Sequence, residues 1–130
     1  MKAEVLFRGK TEGGVWYYGG LYKYSDKKMS IAYTDENGRE YEVDVMPETV
    51  GVFTGYRGLN YERIFEGDIL RTITGRILLV TDAGCGKWTF MDIQEGDIYR
   101  FANAEMLSCC RIIDNIHDNP DFVETYRLKF

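Results

Sequence analysis

Histidine is almost missing from this sequence: His117 is the single one. Any Ser-His-Asp or Cys-His arrangement would have to be built on that imidazole. Cysteine is sparse and odd in number, with Cys85, Cys109 and Cys110. Adjacent cysteines on a strand point to opposite faces, so Cys109 and Cys110 are not expected to bond each other. The short Cys-x₂₋₄-Cys pair typical of a zinc site is missing, which argues against a Cys₃His centre built with His117. No apolar run approaches the roughly 20 residues that span a bilayer. Met1-Lys2-Ala3-Glu4 opens directly into a charged segment, unlike a signal peptide. Free thiols and no leader lead us to expect a cytoplasmic protein with no membrane partner. Leucine and alanine are also scarce, which weighs against long helices.

Tyrosine, valine, isoleucine and phenylalanine are plentiful instead, and they suit half-buried pleated strands. With 45% apolar and 15% aromatic residues, 130 residues suffice for one domain with its own core, expected over 1–130. The net charge is −5, so the average surface repels phosphate. The charge is uneven, however. Residues 1–30 carry six Lys/Arg against three acids, a net of +3; residues 31–68 carry three arginines against nine acids, a net of −6.

Residues 15–24 alternate as a strand with Trp16, Tyr18, Tyr22 and Tyr24 on one face and Tyr17 and Leu21 on the other. Ser25–Lys28 is a turn, and Met29, Ile31 and Tyr33 mark a second strand. Asp35-Glu36-Asn37-Gly38 is the strongest hairpin signal, since Asn-Gly tolerates positive φ. A third strand sets Tyr41, Val43 and Val45 against Glu40, Glu42 and Asp44. These three segments predict an antiparallel meander.

Pro47 ends the third strand, and 50–56 resumes extended structure before a loop over 57–63. Further strands are expected over 69–74, 76–82, 87–93, 98–101 and 109–116, with turns at Glu66-Gly67-Asp68, Gly75, 83–86 and 94–97. The segment 76–82 is apolar on both faces and should be central. Residues 102–107 predict one short helix. Tyr126, Leu128 and Phe130 alternate with Arg127 and Lys129, predicting a last strand over 125–130 that caps its own sheet or pairs with a second copy. The class is mainly β: an N-terminal antiparallel meander plus a coiled sheet or pseudobarrel, a partly closed β-barrel, with at most one or two short helices.

Three stretches carry a family resemblance. The first is Phe7-Arg8-Gly9-Lys10 with Gly14-Val15-Trp16-Tyr17-Tyr18-Gly19. The second runs Val45-Met46-Pro47-Glu48-Thr49-Val50-Gly51-Val52-Phe53-Thr54-Gly55, then Ile64-Phe65-Glu66-Gly67-Asp68-Ile69. The third is Ile113-Asp114-Asn115-Ile116-His117-Asp118-Asn119-Pro120-Asp121. In order and spacing they resemble the YopX family of phage, prophage and mobile-element proteins. The resemblance implies a mostly β fold with pseudobarrel character and brings no catalytic residues. Asp114 stands where that family usually has glycine, and His117 where an aromatic is more usual, which implies a packing role.

Physically, the motif residues are expected to fix turns. Thr49 offers a hydroxyl to nearby backbone, Gly51 and Gly55 allow bends, and Asp68 can accept backbone N–H groups at a strand entrance. Glu66 and Asp68 could share a face as an acid–base or cation pair, but no third acid is placed beside them. Gly84-Cys85-Gly86-Lys87 lacks the Gly-x₄-Gly-Lys-Ser/Thr spacing of a phosphate loop.

Two uses of the N-terminal aromatics compete. Trp16, Tyr18 and Tyr22 would pack against Ile31, Tyr41 and Val43 across the meander. Alternatively, Trp16, Tyr18, Tyr22 and Tyr24 lie exposed with Lys23, Lys27 and Lys28 as a binding surface, stacking single-stranded bases while the lysines track phosphate. No cofactor or metal is expected. The expected function is that of a non-enzymatic, phage- or prophage-encoded accessory protein working through protein contacts, including self-association into a homo-oligomer. A small nucleic-acid-binding module using the basic aromatic N-terminal third is the alternative.

Overall fold

A computed structural model describes residues 6–84 and 87–127, the last two by backbone alone. The chain divides into two compact units, Met1–Phe53 and Thr54–Phe130. Strands dominate both, and no helix among the described residues is long and apolar enough to cross a membrane.

The first unit holds β1 (Phe7–Lys10), β2 (Trp16–Ser25), β3 (Lys28–Thr34), β4 (Glu40–Val45) and the start of β5 (Gly51–Arg57). They lie in the order β4-β3-β2-β1-β5, all antiparallel in the pairs that hold the unit together. The meander expected from the alternation is therefore present. The Asp35 turn closes it: the Asp35 carboxylate accepts the Asn37 and Arg39 N–H groups at 2.9 Å each, and Gly38 takes φ +79°. Strand β1 has no alternation of its own and is not foreseen in the sequence. It is specified by close packing, because a Cβ on Gly9 would come within 2.7 Å of Val45. Gly19 is more constrained still. A Cβ there would stand 1.9 Å from the Ala32 carbonyl oxygen, so only glycine lets β2 and β3 approach this closely.

The second unit holds the end of β5, then β6 (Arg63–Phe65), β7 (Asp68–Arg71), β8 (Ile77–Asp82), β9 (Trp88–Asp92), β10 (Asp97–Ile98), α1 (Ala104–Leu107), β11 (Arg111–Asn115) and α2 (Phe122–Arg127). Its main sheet runs β10-β9-β8-β7-β11, with β8 central as its two-sided apolar pattern requires. One face buries Leu70, Leu78, Val80 and Phe90 with Ile64, Leu107 and Cys110. The other buries Ile69, Ile77 and Ile93, against which Phe122 and Val123 of α2 pack. Both sheets are open orders with two edges, so no closed barrel forms among the described residues.

Three expected strands are corrected. Residues 125–127 belong to α2, whereas 128–130 lie outside the described residues. The turn at Asn119-Pro120 starts the helix, with Phe122 N–H donating to the Asn119 carbonyl and Thr125 N–H to that of Asp121. Burying Phe122 and Val123 against the Ile69 cluster outweighs a three-residue alternation, and no terminal strand over 125–127 caps a sheet. The strand expected over 98–101 shrinks to Asp97–Ile98, after which Phe101 turns its ring edge-on to Tyr99 at 5.8 Å. The strand expected over 69–74 ends at Arg71, because Thr72 begins a turn: its hydroxyl accepts the Arg76 N–H at 3.0 Å. The expected helix at 102–107 is α1, capped by the Asn103 side chain accepting the Met106 N–H at 2.8 Å.

Candidate functional site

Strand register decides what surrounds the tyrosines of β2. Leu21, Ile31 and Val43 are direct partners across three strands, and they share the buried-side face with Tyr33 and Tyr41. Tyr22, Ser30 and Asp44 are aligned on the opposite face, as are Gly20, Ala32 and Glu42. The expected packing of Trp16, Tyr18 and Tyr22 against Ile31, Tyr41 and Val43 is thus ruled out by face. It is Tyr17 that meets Tyr33 at 5.1 Å, and Tyr33 that stacks on Tyr41 at 5.4 Å.

Tyr18, Tyr22 and Tyr24 are consequently open to solvent, at 47%, 54% and 58% exposure. Beside them runs a row of exposed carboxylates from β4: Glu40, Glu42 and Asp44. The Tyr24 hydroxyl donates to Glu42, and the Ser30 hydroxyl donates to Asp44 at 2.8 Å. The Tyr24 phenol is held above its ordinary pKa mainly by that hydrogen bond, then by burial and the Glu42 charge. It therefore stays a neutral donor at physiological pH.

Of the three lysines, Lys28 shares this face, two residues before Ser30 on β3, whereas Lys23 lies on the other. Lys23 pairs with Met29 across the sheet and makes an exposed ion pair with Asp26 at 3.1 Å. Lys27 sits in the turn, and Lys28 places its ammonium 5.3 Å from the Tyr24 ring. Trp16 is half-buried, with Arg8 at 4.8 Å and Lys10 at 6.0 Å from its ring. What the arrangement offers is a flat tyrosine surface bordered by negative charge. The carboxylate row was visible in the sequence, but its position beside the tyrosines follows only from the hairpin register.

The motif residues divide between turns and strands, with Gly51, Thr54 and Gly55 in β5, Asp68 opening β7 and Asn115 ending β11. Pro47 opens a 3-10 turn, Pro47–Thr49, with Glu48 exposed. Thr49 is buried and its hydroxyl accepts the Lys10 N–H at 2.9 Å while donating to the Met46 carbonyl at 2.6 Å. Gly51 is buried opposite Arg8, and Gly55 takes φ +88°. The Thr54 hydroxyl donates to the Ile64 carbonyl at 2.8 Å.

Glu66 and Asp68 flank a turn and are not set side by side on one strand. Asp68 is buried and accepts the Phe65 N–H at 2.7 Å. Gly67, at φ +90°, has the His117 ring over it, 3.1 Å from where a Cβ would be. His117 thus packs at the turn. The Asn115 carboxamide accepts the His117 and Asp118 N–H groups at 3.0 and 2.8 Å, and Asn119 donates to Asp114 at 3.3 Å, which shapes the entry through Pro120 to α2.

Cys109 is exposed and Cys110 buried, and both are free thiols. They follow α1, so the helix end and not strand alternation sends them apart. Cys85 lies outside the described residues. Among the described residues no group of three or more His, Cys, Asp or Glu could hold a metal ion. A closely engaged arginine lies elsewhere: Arg76 meets buried Asp92 at 2.6 Å and Glu95 at 3.0 Å. The Arg76 pKa is raised mainly by the hydrogen bond to Asp92, then by that to Glu95.

Residues 6–124 match the family model described as YopX protein, nearly the whole chain. No curated protein matches the chain.

Proposed function

The chain belongs to the YopX family, and from that premise we propose that it is a non-enzymatic accessory protein, encoded by a phage or prophage, that works in the host cytoplasm through protein contacts. The observation that carries this is the open face of β2–β4, where Tyr18, Tyr22 and Tyr24 lie exposed beside Glu40, Glu42 and Asp44. Tyrosine supplies large contact area with little rotamer entropy to lose, and it is enriched at protein interfaces. The neighbouring carboxylates select a cationic partner surface.

The same carboxylates weigh against the nucleic-acid alternative. Bases stacked on Tyr22 would bring their phosphates towards Glu42 and Asp44, where the single ammonium of Lys28 faces a row of three carboxylates.

The test is affinity capture with the full chain from lysogenic or infected cells, after nuclease treatment, comparing wild type with Tyr18→Ala/Tyr22→Ala. A defined protein retained by wild type and lost by the variant supports the proposal. Equal retention by both overturns it, as does loss of all partners after nuclease. A labelled single-stranded oligonucleotide that binds wild type and not the variant would favour the alternative.

A further inference from the structure

The second unit carries an arrangement that its own fold does not require. Arg71 of β7 and Arg111 of β11 are direct cross-strand partners, so their side chains leave the same face side by side. Like charges placed opposite each other in a sheet destabilise it. Both arginines are exposed, and among the described residues neither side chain makes a hydrogen bond or ion pair. The contrast with Arg76 is informative, because that arginine is engaged by both Asp92 and Glu95.

The surroundings restrict the ligand. The two arginines line a hollow of about 380 Å³ with Leu59, Thr72, Ile73, Cys109 and Ile113. Ile73 is 79% exposed, and Ile113 is the residue extruded where the β7–β11 register shifts. The lining has no aromatic ring on which a base could stack and no carboxylate to neutralise the pair. Two adjacent guanidinium forks among aliphatic side chains suit carboxylates carried on a protein strand.

The chain itself presents such a strand. β4 is an edge of its sheet, and Glu40, Glu42 and Asp44 project from it on one face. Alternate residues on a strand are roughly 7 Å apart, and directly opposed residues about 5 Å, so two carboxylates of one strand lie within reach of two arginine forks. We infer that Arg71 and Arg111 of one copy receive the carboxylates of β4 from a second copy. The contact joins two different surfaces, so it is head-to-tail and can continue from copy to copy. It rests on the proposed function for one of its two halves, since it assigns the carboxylate face a partner.

Sedimentation velocity at low salt tests this, using wild type, Arg71→Gln/Arg111→Gln, Arg71→Glu/Arg111→Glu and Glu40→Lys/Glu42→Lys, each checked for folding by circular dichroism. All four positions are exposed, so folding should survive. The wild-type mass should rise with concentration and fall back to monomer at high salt. The Gln variant should stay monomeric. Each charge-reversed protein should be monomeric alone, and an equimolar mixture of the two should associate, because each retains the half that the other lacks.

A wild type that is monomeric at every concentration overturns the inference, as does a Gln variant that sediments like wild type or a mixture that stays monomeric. A single-stranded oligonucleotide that binds wild type but not the Gln variant also overturns it and assigns the arginines to phosphate. Self-association can fail while Tyr18→Ala/Tyr22→Ala still loses its captured protein; the inference then falls and the proposed function stands.

Discussion

The two units solve the same problem, an antiparallel sheet, in different ways. In the second unit the sheet is buried on both faces, by Ile64, Leu107 and Cys110 on one and by Phe122 and Val123 of α2 on the other. In the first unit the strands β2–β4 bury Ile31 and Val45 on one face and leave tyrosines and carboxylates open on the other. A sheet sealed on both sides has only its edges and loops left for recognition. A sheet sealed on one side keeps a broad face of side chains that a partner can cover. The difference locates stability mainly in one unit and recognition mainly in the other.

The sharpest way to break that comparison is to truncate one side chain in each sheet. Leu78→Ala removes a fully buried side chain at the centre of the second sheet and should cost about 2–5 kcal/mol in denaturant unfolding. Tyr22→Ala, on the open face, should stay within about 0.5 kcal/mol of wild type. Equal losses would mean that the tyrosine face is structural.

A smaller effect separates two neighbours in β2. Gly19→Ala forces a methyl group to 1.9 Å from the Ala32 carbonyl, so the strands must shift, at a cost of about 1–3 kcal/mol. Gly20→Ala meets nothing within 4 Å and should be nearly neutral, as thermal melts of both variants would show. Two similar melts would remove the close approach that defines the first sheet.

Most of the meander was legible because alternation and an Asn-Gly turn act locally. The Asp35 turn even sets the register, from which the neighbours of Tyr22 follow. What the sequence hid depends on contacts distant along the chain. β1 is fixed by Gly9 fitting under Val45 and by the Lys10 N–H reaching Thr49. The helix at Phe122 is fixed by an apolar cluster from β7, β8 and the segment after β9. The Arg71–Arg111 pair is invisible for the same reason: the residues lie far apart in sequence and become neighbours only when β11 closes the edge of the sheet. The carboxylates of the candidate face were readable as a row, but which aromatics they border was not.

The smallest expected effect leaves stability alone and reads the seal on the second core. Burial, with a lesser push from the Cys109 charge, raises the Cys110 thiol from its ordinary 9.0 to about 11. At pH 8 only about one in a thousand such thiols is ionised, and the thiolate is the form that alkylates. Native Cys85→Ser/Cys109→Ser protein should therefore resist iodoacetamide, whereas Cys85→Ser/Cys110→Ser should label quickly through exposed Cys109. The folded Cys110 thiol keeps its proton to higher pH than the unfolded one, so its contribution to stability is intact below about pH 9. It is lost as pH climbs towards 11, where the labelling of Cys110 should accelerate with unfolding. Rapid native labelling of Cys110 at pH 8 would mean that the face under α1 opens readily, and the second unit would no longer be the better sealed of the two.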